Sequence, residues 1–337
     1  MQGPNQQMRP KAYQLAKRVF QNANSNDRYL IAFSAGPDSV FLATLFAEYL
    51  GTEQVGLCYV NHQIRENTQI ENDIAILKDC AAAQSYQYYI EEVNVPAHAK
   101  SKALSIEEAA RELRYQSLCD IATTHGYSRV ITAHHADDQA ETLLFQLLRG
   151  AQHHLSGMAE FRDLCPSVQL WRPLLSIPKS EILDYLSEQN IPYAKDTSNE
   201  SLDYTRNRIR HQLIPPIRDL NPNYLETLAD FGAYQREISE YIEGELVETL
   251  QELQRSKGGG EMNRHCFTTL APVLQRSLFQ LIWKSLTAGQ YRPNRKQTQI
   301  AIDIINSTSG ERKSCPLQPP YQFIRDKDGL FFKIQAQ

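Results

Sequence analysis

Ile31-Ala32-Phe33-Ser34-Ala35-Gly36-Pro37-Asp38-Ser39-Val40 is the stretch around which the chain is organised. An apolar run of strand length, Tyr29 to Phe33, breaks into a small-residue turn. It then continues into Val40-Phe41-Leu42-Ala43-Thr44-Leu45-Phe46-Ala47, which reads as a helix. A strand, a tight loop and a helix start make an anion site. Small side chains let backbone N–H groups approach a phosphate, and the positive end of the helix dipole points at it. Asp38 and Ser39 are N-cap residue types, and Asp38 is placed to hold a magnesium ion. A strand-to-helix turn capped by Asp38 accounts for the same residues equally well. The common nucleotide P-loop is excluded, because no Gly-Lys-Ser/Thr is present.

Working outward, strands and helices alternate. Ala12 to Phe20 reads as a short helix, Gln54 to Val60 as a strand, Ile70 to Ser85 as a helix and Tyr86 to Val95 as a strand. Pro96 to Leu104 reads as a mobile loop. Ser105 with Glu108 forms a capping-box pattern that opens a helix to about Thr124. Arg129 to Ala133 is a strand, and a strong helix runs from Ala140 to Leu148. This alternation predicts an α/β fold with a doubly wound, mostly parallel sheet. Ligands in such sheets bind beyond the carboxyl ends of the strands. Three polar clusters fall there: Ser34 to Ser39, Asn61 to Arg65, and His134 to Asp138.

Gly150 to Pro166 reads as a loop, Leu170 to Leu175 as extended chain, and Pro178 opens a helix whose wet side carries Lys179, Glu181 and Glu188. Pro215-Pro216 and Asn221-Pro222 mark a boundary, giving domains 1–218 and 219–337. The second domain reads as smaller and mainly helical, with Lys257-Gly258-Gly259-Gly260 as a flexible break. A terminal hairpin is centred on Asp326-Lys327-Asp328-Gly329.

The 337 residues fit two domains, and 42% hydrophobic with 22% charged residues is an ordinary globular composition with ample core. A net charge of −4 gives no global basic signature, so any nucleic-acid contact must come from a local patch. No apolar run reaches membrane-spanning length, and Met1 to Pro10 lacks a signal-peptide core, so a cytoplasmic location is expected. The six cysteines, Cys58, Cys80, Cys119, Cys165, Cys266 and Cys315, form no Cys-x-x-Cys. Free thiols in a reducing compartment are expected, which argues against a zinc ribbon, an iron–sulfur cluster or a persulfide relay.

His134-His135-Ala136-Asp137-Asp138 has metal-ligand residue types. Its carboxylates suit Mg²⁺ on phosphate oxygens, and capping of the following helix is the competing explanation. Arg111 and Arg114 share one helix face. Arg206, Arg208, Arg210 and His211 place four basic groups in six residues without an intervening acid, which favours an RNA-phosphate contact.

The loop at Ser34 to Ser39 resembles the Ser-Gly-Gly-x-Asp-Ser loop of the N-type ATP pyrophosphatases, whose fold is adenine nucleotide alpha hydrolase-like. Ala35 stands where Gly is usual. If that position needs positive φ, Ala costs roughly 1 kcal/mol. His134 to Thr142 resembles the second signature of one branch, the tRNA(Ile)-lysidine synthases. Tyr59 to Arg65 (with Gln63 in place of Gly), Glu108 to Tyr115, Arg172 to Leu175, Asp196 to Asn199 and Tyr204 to His211 are similar to further segments of that family, in the same order. Ser309 to Lys313 is similar to its tail.

The resemblance implies ATP and Mg²⁺ as cofactors, and tRNA(Ile) and free L-lysine as substrates. ATP contacts fall on Ser34, Ala35, Gly36, Pro37, Asp38, Ser39, His62, Arg111 and Arg114. Mg²⁺ falls on Asp38 and Asp137, which are also the catalytic residues, and tRNA on Arg206, Arg208 and Arg210. The implied product is lysidine at the wobble cytidine, with codon reading changed from AUG to AUA. The lysine pocket stays open among Glu141, Asp196 and Glu200. A homodimer is compatible with the sequence, which carries no signal for oligomeric state. The competing classes are a tRNA thiolase, a small-molecule ligase of the GMP or NAD synthase kind, and a non-catalytic RNA-binding module.

Overall fold

The computed structural model describes residues 10–24, 26–50, 52–64, 66–150, 155–194, 205–289, 291–327 and 329–335. The expectations for Arg65, Asp196 to Asn199, Glu200 and Tyr204 lie outside them. The chain divides into two compact units, Met1–Thr142 with Gly157–Ala229, and Leu143–Ser156 with Asp230–Gln337.

The first unit runs α1 (Pro10–Val19), β1 (Tyr29–Ala32), α2 (Pro37–Leu50), β2 (Val55–Asn61), α3 (Asn67–Gln84) and β3 (Gln87–Glu92). It continues through α4 (Val95–Lys102), α5 (Ile106–His125), β4 (Arg129–Ile131), α6 (Ala136–Leu148), β5 (Phe161–Cys165), β6 (Val168–Trp171) and α7 (Lys179–Glu188). The six strands lie in the order β3-β2-β1-β4-β6-β5. All neighbours are parallel except β5, which pairs antiparallel with β6 at the edge. The chain winds one way from β1 to β3 and returns to the other side at β4. The point where the winding reverses therefore lies between β1 and β4, where such sheets take their ligands.

The core explains this arrangement. Tyr29, Ile31, Phe41, Phe46 and Trp171 are fully buried in one cluster. Trp171 packs against Tyr29, Phe46 and Phe161 with ring centroids 5.8–6.1 Å apart. Each such aromatic pair adds roughly 0.5–1.5 kcal/mol beyond its buried area. Trp171 is thus a core residue.

Several expectations are corrected. The segment read as a mobile loop is α4: Asn94 Oδ1 accepts the Ala97 N–H (3.0 Å), and Val95 and Ala99 are buried against Ala109 of α5. The loop before Pro166 contains β5, whose strand character comes from pairing with β6 rather than from its own pattern. Cys119 of α5 and Cys165 of β5 form a disulfide, so only Cys58, Cys80, Cys266 and Cys315 are free. Their 46-residue separation hid the pairing from spacing arguments. Pro215 and Pro216 lie in the first turn of a helix, Ile214–Leu220.

Helix α8 (Thr205–Arg208) leads through a π-helical turn, Ile209–Leu213, into α9 (Ile214–Leu220) and α10 (Tyr224–Glu245). Within the turn the Ile214 N–H reaches back to Ile209 O. The two prolines that follow have no N–H to offer the carbonyls of the preceding turn, and a widened turn results.

The second unit adds α11 (Val247–Gln251), β7 (Gln254–Ser256), β8 (Gly259–Asn263), α12 (His265–Thr268), α13 (Pro272–Leu286) and α14 (Arg295–Asn306). Three strands close it: β9 (Lys313–Pro316), β10 (Tyr321–Arg325) and β11 (Gly329–Ile334). The hairpin expected around Asp326 to Gly329 is β10–β11. The expected flexible break at Lys257 to Gly260 is instead a second hairpin, so the small β element becomes a five-stranded antiparallel sheet, β7-β8-β11-β10-β9. Gly259 is required there: its φ is +135°, and a Cβ would lie 1.8 Å from the Phe332 carbonyl oxygen. The fully buried Arg325 donates to the carbonyls of Ile304, Ser307 and Ser309, tying β10 to the end of α14. Among the described residues, no helix is long and apolar enough to cross a membrane.

Candidate active site

The end of β1 turns sharply into α2. Ala35 sits at φ +60° and Gln63, beyond β2, at φ +55°. Both positions at which the sequence departs from glycine therefore adopt the left-handed conformation, at about 1 kcal/mol each. Ser39 Oγ accepts the Ser34 N–H (3.2 Å) and donates to Gly36 O (3.0 Å), bracing the loop from inside. Asn61 Oδ1 accepts the Gln63 N–H (3.0 Å), which closes the second turn.

A cavity of about 650 Å³ opens beside these loops. Ser34, Asp38, Asn61, His62, Arg114 and His134 are among the residues that line it. Arg111 does not line it; its guanidinium lies over the Tyr115 ring, 5.2 Å from the centroid.

At the start of α6 the carboxylates Asp137, Asp138 and Glu141 meet Asp38 around His135. The imidazole lies 3.8 Å from Asp38, 3.6 Å from Asp137 and 3.4 Å from Asp138. Asp138 also accepts the His135 backbone N–H (3.0 Å), the capping role expected as the alternative. Asp137 Oδ2 accepts the N–H of Lys179 at the first turn of α7 (2.8 Å), and Lys179 Nζ bonds Asp38 Oδ1 (2.5 Å). Lys179 is thus no wet-side residue: it bridges the two catalytic candidates. Helical spacing predicted its face but not the neighbour waiting 141 residues upstream.

Arg210 also departs from its expectation. It is bound by Glu141 (2.5 and 3.0 Å) and Asp138 (3.5 Å). The acids missing from its own segment come from α6. Arg206 pairs with the exposed Glu107 (3.6 Å), and Arg208 bonds Gln212 (3.5 Å).

Electrostatics separate two neighbouring histidines. Burial and the guanidiniums of Arg172, Arg114 and Arg111 push His134 down to about 3, so it is neutral, and its Nδ1 lies 2.9 Å from Thr132 Oγ1. Burial also works against protonated His135, but Asp137, Asp138 and Asp38 reverse it and hold its pKa above the ordinary value. Burial raises Asp137, and His135 with the Lys179 N–H more than offsets this, leaving its carboxyl below its ordinary range. Burial keeps Glu141 above its range despite Arg210.

Asp38 and Asp137 share His135 and Lys179 as neighbours and offer hard oxygen donors. That set suits Mg²⁺, which takes few protein ligands and completes its shell with water and phosphate. Among the described residues no cluster of three His, Cys, Asp or Glu side chains forms a protein-built metal cage.

The geometry defines a phosphate-binding α/β domain with its site at the switch point of a parallel sheet. A family model for PP-loop domains (ATP_bind_3) matches residues 8–217, and the chain belongs to that family. The bifunctional protein TilS/HprT of Listeria monocytogenes is 34% identical over 321 residues, covering 92% of this chain and 48% of the relative. The tRNA(Ile)-lysidine synthase of Enterococcus faecalis is 30% identical over 306 residues, covering 89% and 65%. The synthase of Petrotoga mobilis is 27% identical over 318 residues, covering 89% and 94%. The chain thus spans about half of the Listeria relative and just under two-thirds of the Enterococcus one. The U34-tRNA thiolase NcsA of Methanococcus maripaludis, solved with its [4Fe-4S] cluster, shares the fold. Its TM-score is 0.57 at 16% identity, over 68% of this chain and 80% of that one.

Proposed function

We propose that this chain is a cytoplasmic ligase that uses ATP to join L-lysine to ring carbon 2 of the wobble cytidine of tRNA(Ile) with a CAU anticodon. The observation that carries this reading is the carboxylate group at the start of α6. Asp137 faces Asp38 across Lys179, while Asp138 and Glu141 already hold a cationic side chain, Arg210. One pair suits phosphate-bound metal and the other suits the ammonium of lysine. The names of the relatives support the same reading.

The Ser34 to Ser39 loop and the α2 N-terminus receive the ATP phosphates, and His62 and Arg114 border the nucleotide cavity. Asp38 and Asp137 would hold Mg²⁺, which supplies charge neutralisation on the phosphates. The carbonyl oxygen of the cytidine attacks the α-phosphate, and pyrophosphate leaves. The ε-amine of lysine then attacks ring carbon 2, and AMP departs. That amine must lose its proton. Asp137 is held low and suits the metal. Glu141, raised by burial, is the better acceptor once lysine displaces Arg210. Arg206 and Arg208 are proposed phosphate contacts for the tRNA; Arg210 reaches RNA only by leaving Glu141. A homodimer is proposed on the face of α10 where Phe231, Tyr234 and Tyr241 are 41%, 60% and 69% exposed.

The thiolase alternative is disfavoured by the cysteines. Cys119 and Cys165 are paired, and burial pushes the Cys58 and Cys80 thiols up to about 12 and 11, far from reactive thiolates. Incubation with ATP, Mg²⁺, labelled lysine and bulk tRNA, omitting each in turn, tests the proposal. Label enters tRNA only when all are present. ATP turnover without lysine incorporation discards lysidine formation, and no ATP consumption leaves an RNA-binding module.

A further inference from the structure

Tyr115 of α5 sits among four guanidinium groups. Arg162 of β5 lies over its ring at 4.6 Å, Arg111 at 5.2 Å and Arg114 at 5.4 Å. Arg172, which follows β6 and is 3% exposed, is the fourth. Its Nη1 donates to Ala159 O (2.6 Å), but its Nε and the Nε of Arg114 are shielded from solvent with no hydrogen-bond partner.

Among the described residues, no carboxylate is paired with these guanidiniums. The nearby acids of α5 are engaged elsewhere: Glu107 with Arg206, Glu108 in the capping box with Ser105, and Glu112 with Lys102 and His98. Four like charges brought together from three parts of the sheet are unfavourable unless an anion balances them. The phenol of Tyr115 registers the imbalance: burial would raise it, yet the four guanidiniums lower it to about 8.

The cluster has an inner and an outer part. Arg114 lines the nucleotide cavity and Arg172 is buried behind it, while Arg111 and Arg162 are exposed. An arginine lying on an aromatic ring keeps its N–H edges free for two-pronged binding of phosphate oxygens.

We propose that the Tyr115 cluster is a phosphodiester site for the RNA strand flanking the base that enters the cavity, with Arg111 and Arg162 as its outer contacts. This rests on the tRNA reading above. The phosphates of ATP have their own cradle at the α2 N-terminus, whereas a nucleotide within a strand carries a phosphodiester on either side of its ribose. The cluster runs from Arg114 on the cavity wall to Arg111 and Arg162 at the surface.

Arg162→Ala tests the proposal, because the side chain is exposed and its loss does not threaten the fold. Binding of tRNA is titrated at several salt concentrations, and ATP affinity is measured without RNA. The expected result is a 3- to 10-fold weaker tRNA complex and a log–log salt slope reduced by about 1, with ATP affinity within twofold of wild type. Arg162→Lys should restore part of the slope but less of the affinity, because it loses the planar fork. An unchanged tRNA affinity and slope, or a loss confined to ATP, overturns the proposal. If wild-type protein binds no tRNA, the functional reading itself falls; if wild type binds and the variant matches it, only this site falls.

Discussion

Two clusters of charge meet at His134 and His135, and they are built on opposite plans. Around His135, three aspartates are countered by the imidazole and by Lys179, while Glu141 and Asp138 hold Arg210. Around His134 and Tyr115, four arginines converge, and among the described residues no carboxylate pairs with them. The first cluster carries most of its counter-charge in the protein's own side chains; the second is the proposed anion site. Adjacent residues therefore carry opposite protonation preferences.

Removing a carboxylate from the balanced cluster should have the largest effect. Asp137→Asn should lower lysine incorporation by roughly 10²–10³-fold or more while circular dichroism stays native, as for loss of a preorganised charge at a reacting centre. Near-normal turnover would remove Asp137 from the chemistry. Replacing the counter-cation should do less. Lys179→Met leaves Asp38 without its partner and is expected to raise the KM for ATP by about tenfold, the weight of one charge-assisted hydrogen bond. An unchanged KM would make Lys179 a purely structural bridge.

The smallest effect should appear in stability against pH. His135 titrates above its ordinary value of 6.5 in the folded chain. Its stabilising contribution is therefore complete below that value and is lost as pH rises through the folded pKa. Melting temperature should decline over that range in wild type and more weakly in His135→Gln. Parallel curves would show that His135 does not titrate against the three aspartates. His134, pushed down to about 3 in the folded chain, works the other way: the unfolded chain takes up a proton that the folded chain refuses, so this penalty fades as pH rises from about 3 through 6.5.

What the sequence could show follows from which forces are local. Helix caps and the strand–loop–helix at Ser34 to Ser39 were legible because a turn is decided by its own residues, while Ala35 and Gln63 stood out only as departures from the glycines of the resembled family. Lys179, Arg162 and the Cys119–Cys165 bridge were not, since each depends on which strands become neighbours. The β6–β5 edge brings Arg162 to Tyr115, and no spacing rule anticipates that juxtaposition. The Lys257 to Gly260 segment misled for a related reason. Its glycines look like a flexible break but serve a close approach to the Phe332 carbonyl, visible only once β11 is in place.

The position of β11 has a consequence for how the chain matures during synthesis. The first unit's sheet has all its strands once Trp171 has been made, so it can assemble while the rest is being translated. In the second unit, β11 (Gly329–Ile334) is the middle strand, flanked by β8 on one side and β10 on the other. The β7–β8 hairpin, made some seventy residues earlier, must wait with an open edge until that strand leaves the ribosome. Helix α14 likewise waits for Arg325 to cover its last carbonyls. The sheet of the first unit can thus close before that of the second, which waits for Gly329 to Ile334.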